Sequence, residues 1–180
     1  MRKTVIVVAL LLLAVLVIWL ASRPDSAPQT IPETVSVDPS QVLTITLRRA
    51  GSEPLLFKRV DGAWRLANGR KSEAADEDAV SHLLSNLASM RVVRVVTRNP
   101  QQYEAMHVGE SAPEIVLKDK SGNTLLALRV GKQGVDFLTT YIRLIDKPEV
   151  LAVNKVLNWQ VGRSRDGWLQ PKEPTGKGDK

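Results

Sequence analysis

The apolar positions of this chain fall into two regimes separated by a polar stretch. Thr4 to Ala21 (TVIVVALLLLAVLVIWLA) runs without a charge, a glycine or a proline. As a helix it would be about 27 Å long, close to the ~30 Å core of a bilayer. Arg2 and Lys3 precede it, and Trp19 stands near its far end, where an amphipathic ring favours the headgroup zone. Ser22 to Ser40 then holds Pro24, Pro28, Pro32 and Pro39 and almost no large apolar side chain. It predicts an extended, partly polyproline-like spacer whose reach is on the order of 60 Å. Beyond residue 42 the apolar residues return in shorter rhythms, every second position or every third and fourth.

Those rhythms predict an α+β domain over residues 42–169, mostly antiparallel sheet covered by one or two helices. Leu43 to Leu47 alternates apolar and polar, the pattern of a half-buried strand. Leu55 to Val60 and Ala63 to Leu66 flank Asp61-Gly62, a strong two-residue hairpin signal. Val80, Leu83, Leu84, Leu87 and Ala88 repeat with helical spacing, so Ser72 to Met90 reads as one amphipathic helix. Glu73, Asp76, Glu77 and Asp78 crowd its start, where the helix dipole favours negative charge. Val92 to Val96 reads as a strand leading out, followed by a loop from Asn99-Pro100 and a short helical turn at Gln101 to Met106.

Strands follow at Glu114 to Lys118 and Thr124 to Val130, about a turn at Ser121-Gly122-Asn123. Gly131-Lys132-Gln133-Gly134 breaks the run, and Thr140 to Ile145 and Val150 to Val153 read as two more strands. Asn154 to Val161 reads as a closing helix. Residues 42–90 and 114–161 thus share an order of strands followed by a helix, which an internal ββ(β)α duplication would produce. Residues 170–180 are polar with proline and glycine, a composition that predicts a disordered tail.

Three readings fit the apolar run: an uncleaved signal-anchor, a cleaved signal, or a buried helix. It exceeds the roughly 7–15 apolar residues of a cleavable signal, and Trp19-Leu20-Ala21-Ser22 makes a poor cleavage site. The anchor reading is therefore taken, with residues 1–3 cytoplasmic, 4–21 in the membrane, 22–41 as linker and residues 23–180 exported.

Composition narrows the chemistry. The 180 residues contain no cysteine, which excludes disulfides and thiolate chemistry. The formal charge is +6, so the domain suits an anionic lipid surface or an acidic partner, although a solvated basic surface is the plainer reading. Basic residues are scattered and aromatics are 4% of the chain, which argues against a nucleic-acid platform. His82 and His107 are isolated, with no metal-ligand spacing. Ser164, in Gly162-Arg163-Ser164-Arg165-Asp166-Gly167, lacks the Gly-x-Ser-x-Gly elbow of a nucleophile. Gly131-Lys132-Gln133-Gly134 follows a strand instead of joining two helices, so it reads as a turn and not as a nucleic-acid clamp. No catalytic residue, cofactor or metal ligand is therefore expected. Trp159, Arg163, Arg165 and Trp168 combine aromatics with arginine as binding hot spots do, and are the candidate partner contacts.

The order of features also resembles a family. Asp61-Gly62-Ala63-Trp64-Arg65-Leu66, the helix bearing Ala79-Val80 and Leu83-Leu84, and Asn99-Pro100-Gln101-Gln102-Tyr103 come first. Ile115-Val116-Leu117, Leu128-Arg129-Val130-Gly131 and Tyr141-Ile142-Arg143 complete the series. Together they resemble the bacterial and archaeal family called domain of unknown function 4340. The resemblance implies an N-terminal membrane segment, an exported domain, and an accessory role at the envelope beside ABC-type export or gliding systems. It implies no catalytic residues. The expectation is a single-pass protein of the bacterial inner membrane whose periplasmic domain contacts a membrane or exported protein. An exported small-molecule or glycan-binding module is the alternative, and an envelope hydrolase a third.

Overall fold

The computed structural model describes residues 35–171. The segment Thr4–Ala21 and most of the spacer lie outside the described residues. Among those described, no helix is long and apolar enough to cross a membrane.

Among the described residues nine antiparallel strands form one sheet: β1 (Thr44–Arg48), β2 (Leu55–Val60), β3 (Ala63–Asn68), β4 (Lys71–Ala74), β5 (Val92–Thr97), β6 (Glu114–Lys118), β7 (Thr124–Gln133), β8 (Thr140–Leu144) and β9 (Val150–Val153). Their spatial order is β4-β3-β2-β1-β6-β7-β8-β9-β5. Two four-stranded meanders therefore meet at the β1–β6 pair, where Thr46 faces Val116. Helix α1 (Glu77–Ala88) leaves the β4 edge and delivers β5 to the opposite edge, against β9. The single-turn helix α2 (Asn158–Val161) follows β9, and the chain after it returns to the β4 edge, where Leu169 bridges Ala75. Each meander is thus closed by chain that comes from the other.

Helix α1 forms where its apolar spacing allows. Asp76 caps it by accepting from the Ala79 N–H at 3.0 Å, and Glu77 and Asp78 lie in its first turn. Val80, Leu83, Leu84 and Leu87 are buried together with Ile45, Phe57, Leu66, Leu128, Ile142 and Leu151 in one apolar cluster. A flat sheet of nine strands would place β4 and β5 on the order of 38 Å apart. Helix α1 is about 18 Å long. Together with the residues flanking it the helix spans the sheet, and residues of β3, β5 and β9 belong to the same apolar cluster.

Four sequence expectations are corrected. The helix begins at Glu77 and not at Ser72, because Lys71–Ala74 pairs with β3 as a strand; Gly69, at φ +57°, makes the tight turn between them. Glu73 consequently lies on β4, away from the helix start. Strand β7 continues through Gly131 to Gln133, with a register shift after Val130, and the turn begins only at Gly134. The closing helix is one turn, Asn158–Val161, rather than Asn154 to Val161. Packing also reaches into the expected spacer and tail. Val35 and Val37 are buried in the core, and the Gln170 N–H donates to the Ala74 carbonyl.

On the other face of the sheet a second, smaller apolar cluster forms among the described residues. Residues 99–113, with 3₁₀ turns at Pro100–Gln102 and Glu104–Met106, lie over β8 and β9 and bury Val108, Tyr141, Val150 and Ala152. The Tyr103 hydroxyl donates to the Pro148 carbonyl at 2.6 Å. Gly131 is the close-approach point: a Cβ there would run into the Met106 carbonyl oxygen and the Val108 side chain.

Candidate interaction surfaces

The four residues expected at a partner contact take different roles. Trp168 is 1% exposed, with its ring edge-on to Phe57. The Asp76 N–H donates to its carbonyl, so the side chain and backbone together close the sheet edge. Arg165 pairs with Glu73 of β4. Arg163 lies over both Trp168 and Trp159, at 5.2 and 5.6 Å from the ring centroids. Trp159 is half exposed. The segment is thus a clasp on the domain, and Trp168, being core, offers no surface to a partner.

A second group emerges from strand register, which the sequence does not reveal. Arg48, Glu114, Arg129 and Arg143 stand directly opposite one another across β1, β6, β7 and β8. Their neighbours Leu47, Ile115, Leu128 and Ile142 point into the core, so alternation turns this row to the other face. The row holds three arginines and one glutamate. Arg48 donates to Glu114 at 2.5 Å.

Arg129 and Arg143 are like charges directly opposite, an arrangement that weakens a sheet. Arg143 is compensated: its Nε donates to the Val108 carbonyl at 3.2 Å, and its guanidinium lies 4.5 Å over the Tyr103 ring. Burial, and then the charge of Arg129, hold its pKa below the ordinary value, while Tyr103 and Glu110 act the other way. Arg129 has less. Its Nε is buried and meets no hydrogen-bond partner among the described residues. The row therefore carries excess positive charge.

Clefts open on the described part of the domain. One of about 680 Å³ is lined by Arg48, Arg49, Glu53, Asn68 and Arg165 among others, without an aromatic ring. Another, about 470 Å³, lies beside α1 with Trp64, Arg59 and Glu77 on its walls. Among the described residues no group of three or more His, Asp or Glu side chains is placed to hold a metal ion. His82 is exposed on α1, and His107 is exposed with a left-handed backbone, φ +56°. Ser164 accepts from the Gly167 N–H in a local turn.

A family model described as Domain of unknown function (DUF4340) matches residues 64–173. No curated protein and no solved structure matches the chain.

Proposed function

This chain belongs to the family of domain of unknown function 4340, and from that premise we propose that it is a non-catalytic accessory protein of the bacterial inner membrane. Thr4–Ala21 is its single membrane anchor, with the N-terminus in the cytoplasm. The α+β domain works on the periplasmic side and docks onto an acidic surface of a membrane or exported protein, such as a component of a transporter complex. In the same reading residues 42–90 and 114–161 are copies of one ββ(β)α unit.

The observation that carries the proposal is the Arg48–Glu114–Arg129–Arg143 row. A domain keeping two arginines directly opposite each other, one with a buried donor unmet, sacrifices stability at that place. An acidic partner offsets the like-charge repulsion, because arginine forks bind carboxylates in two-point fashion. The small-molecule or glycan-binding alternative has less behind it, since the larger cleft has no aromatic among its lining residues.

Two experiments test it. Reporter fusions at Lys180 read the side of the membrane, and a periplasmic signal is expected. Purification of the tagged full chain from crosslinked membranes is expected to recover a reproducible protein partner, lost when Arg129→Glu reverses the charge. A cytoplasmic reporter overturns the topology, and the absence of any partner overturns the docking.

A further inference from the structure

The turn joining β7 to β8 exposes three large apolar side chains in four residues. Val135 is 83% exposed, and Phe137 and Leu138 are each 74% exposed. They are held there by a closed hydrogen-bond network. The Gly134 N–H donates to the Thr139 carbonyl and the Phe137 N–H to the Gly134 carbonyl. Asp136 accepts from the Leu138 and Thr139 N–H groups at 3.0 and 2.9 Å and from the Thr139 hydroxyl at 2.8 Å. Gln133 donates to the Phe137 carbonyl. Phe137 adopts φ +57°, a left-handed conformation unfavourable for a bulky residue. The chain accepts strain in order to present these side chains to the outside.

The base of the turn is cationic. Asn158 of α2 donates to the Gly131 carbonyl, and the Leu157 N–H donates to the Thr140 hydroxyl, so α2 is fixed at the foot of the turn. That places half-exposed Trp159, with Arg163 over its ring, at the same end of the sheet. Arg49 and Lys132 line a neighbouring cleft with Gly131, Asn158 and Gly162. The single acid of the tip, Asp136, has its carboxylate engaged within the turn. Apolar side chains at a convex tip, with cations and an amphipathic tryptophan behind them, match the layering of a lipid interface: acyl chains outermost, then anionic headgroups.

We infer that Val135, Phe137 and Leu138 form a tip that enters the interface of an anionic bilayer, with Lys132, Arg49 and Arg163 meeting lipid phosphates. The inference takes the anchored topology above as its premise and goes beyond the protein-docking reading. Thirteen residues separate the apolar run Thr4–Ala21 from Val35, so as a polyproline-like chain the spacer reaches about 40 Å. Val35 lies beside Leu126, Ala127 and Leu144, at the end of β7 away from the tip, about 20 Å of strand from Gln133, so the tip reaches the bilayer with the spacer drawn out along the domain. The tip fixes the orientation of the domain on the membrane.

The absence of native cysteine makes the test clean. Val135→Cys in the full chain is labelled with an environment-sensitive fluorophore and reconstituted in nanodiscs of phosphatidylglycerol and phosphatidylcholine. Ser121→Cys, exposed on the turn at the other end of β7, is the reference. The expected result is a blue-shifted emission at position 135, quenched by nitroxide lipids several-fold more than at position 121. The effect should weaken in pure phosphatidylcholine and disappear with Phe137→Ser/Leu138→Ser. Equal, water-like emission at both positions overturns the tip. So does shielding that arises in native membranes but not in protein-free discs, which would assign the tip to a protein partner. Carbonate extraction separates the two premises: a wet tip on a chain that stays in the membrane fraction overturns the tip alone, whereas extraction of the chain overturns the anchor as well.

Discussion

Trp168 sets its ring edge-on against Phe57, with centroids 5.3 Å apart and planes inclined by 67°. This contact ties the last described residues of the chain to β2, in the first meander. Leu169 bridges Ala75 beside it, and Arg165 reaches Glu73 on β4. The C-terminal segment is therefore part of the fold, not an appendage to it. Trp168→Ala is expected to cost about 3–5 kcal/mol, the range for emptying a buried aromatic site. Denaturant unfolding of the full chain measures it, and Trp168→Phe should recover a substantial part.

Gly131 is confined by the Met106 carbonyl and the Val108 side chain. Gly131→Ala must push residues 99–113 off the sheet, at a cost of about 1–3 kcal/mol as for other overpacked sites. The Val108 N–H, which donates to the Tyr103 carbonyl at 2.9 Å, should then exchange faster with solvent. Its protection relative to core amides such as that of Leu128 is the readout.

The arginine row separates stability from function. Arg143→Met leaves the Val108 carbonyl without its donor and removes the contact with Tyr103, so a loss of about 1–3 kcal/mol is expected. Arg129→Met removes a like charge and a buried donor that has no partner, so stability should hold or rise. A large loss from Arg129→Met would make the row structural instead of interactive.

Asp136 has a pKa lowered chiefly by the Thr139 hydroxyl and then by the Leu138 N–H. A carboxyl with a depressed folded-state value favours the folded turn above its unfolded value, and that contribution is lost as pH falls through the folded one. The amide resonances of Leu138 and Thr139 should stay constant from neutral pH downward and shift only below the ordinary aspartate range. Asp136→Ala should abolish the transition. A midpoint at or above the ordinary value would contradict the hydrogen-bond arrangement.

Local patterning made much of the sheet legible. Strand β1 follows from period-two alternation, β2 and β3 from the runs flanking Asp61-Gly62, and β6 to β9 from short apolar runs between turn residues; Asp61-Gly62 turns where expected, with both residues at positive φ. Strand β4 was obscured because Lys71–Ala74 is short and polar and adjoins an acidic helix start. The dipeptide Asn68-Gly69, a hairpin signal in its own right, marks the turn that feeds it. The role of Trp168 depends on contact with Phe57, more than a hundred residues away, which no local rhythm encodes. The arginine row is hidden for the same reason. Each arginine occupies an ordinary outward position, and only the pairing of four strands brings them into line.

Site-specific photocrosslinking from Thr46, which precedes Arg48 by two residues on the same face of β1, tests the docking claim most directly. In native membranes the full chain should give one discrete protein adduct at position 46 and none at Ser121, and Arg129→Glu should remove it while leaving the chain folded and membrane-bound. No adduct at position 46, or one indifferent to the charge reversal, would contradict the account.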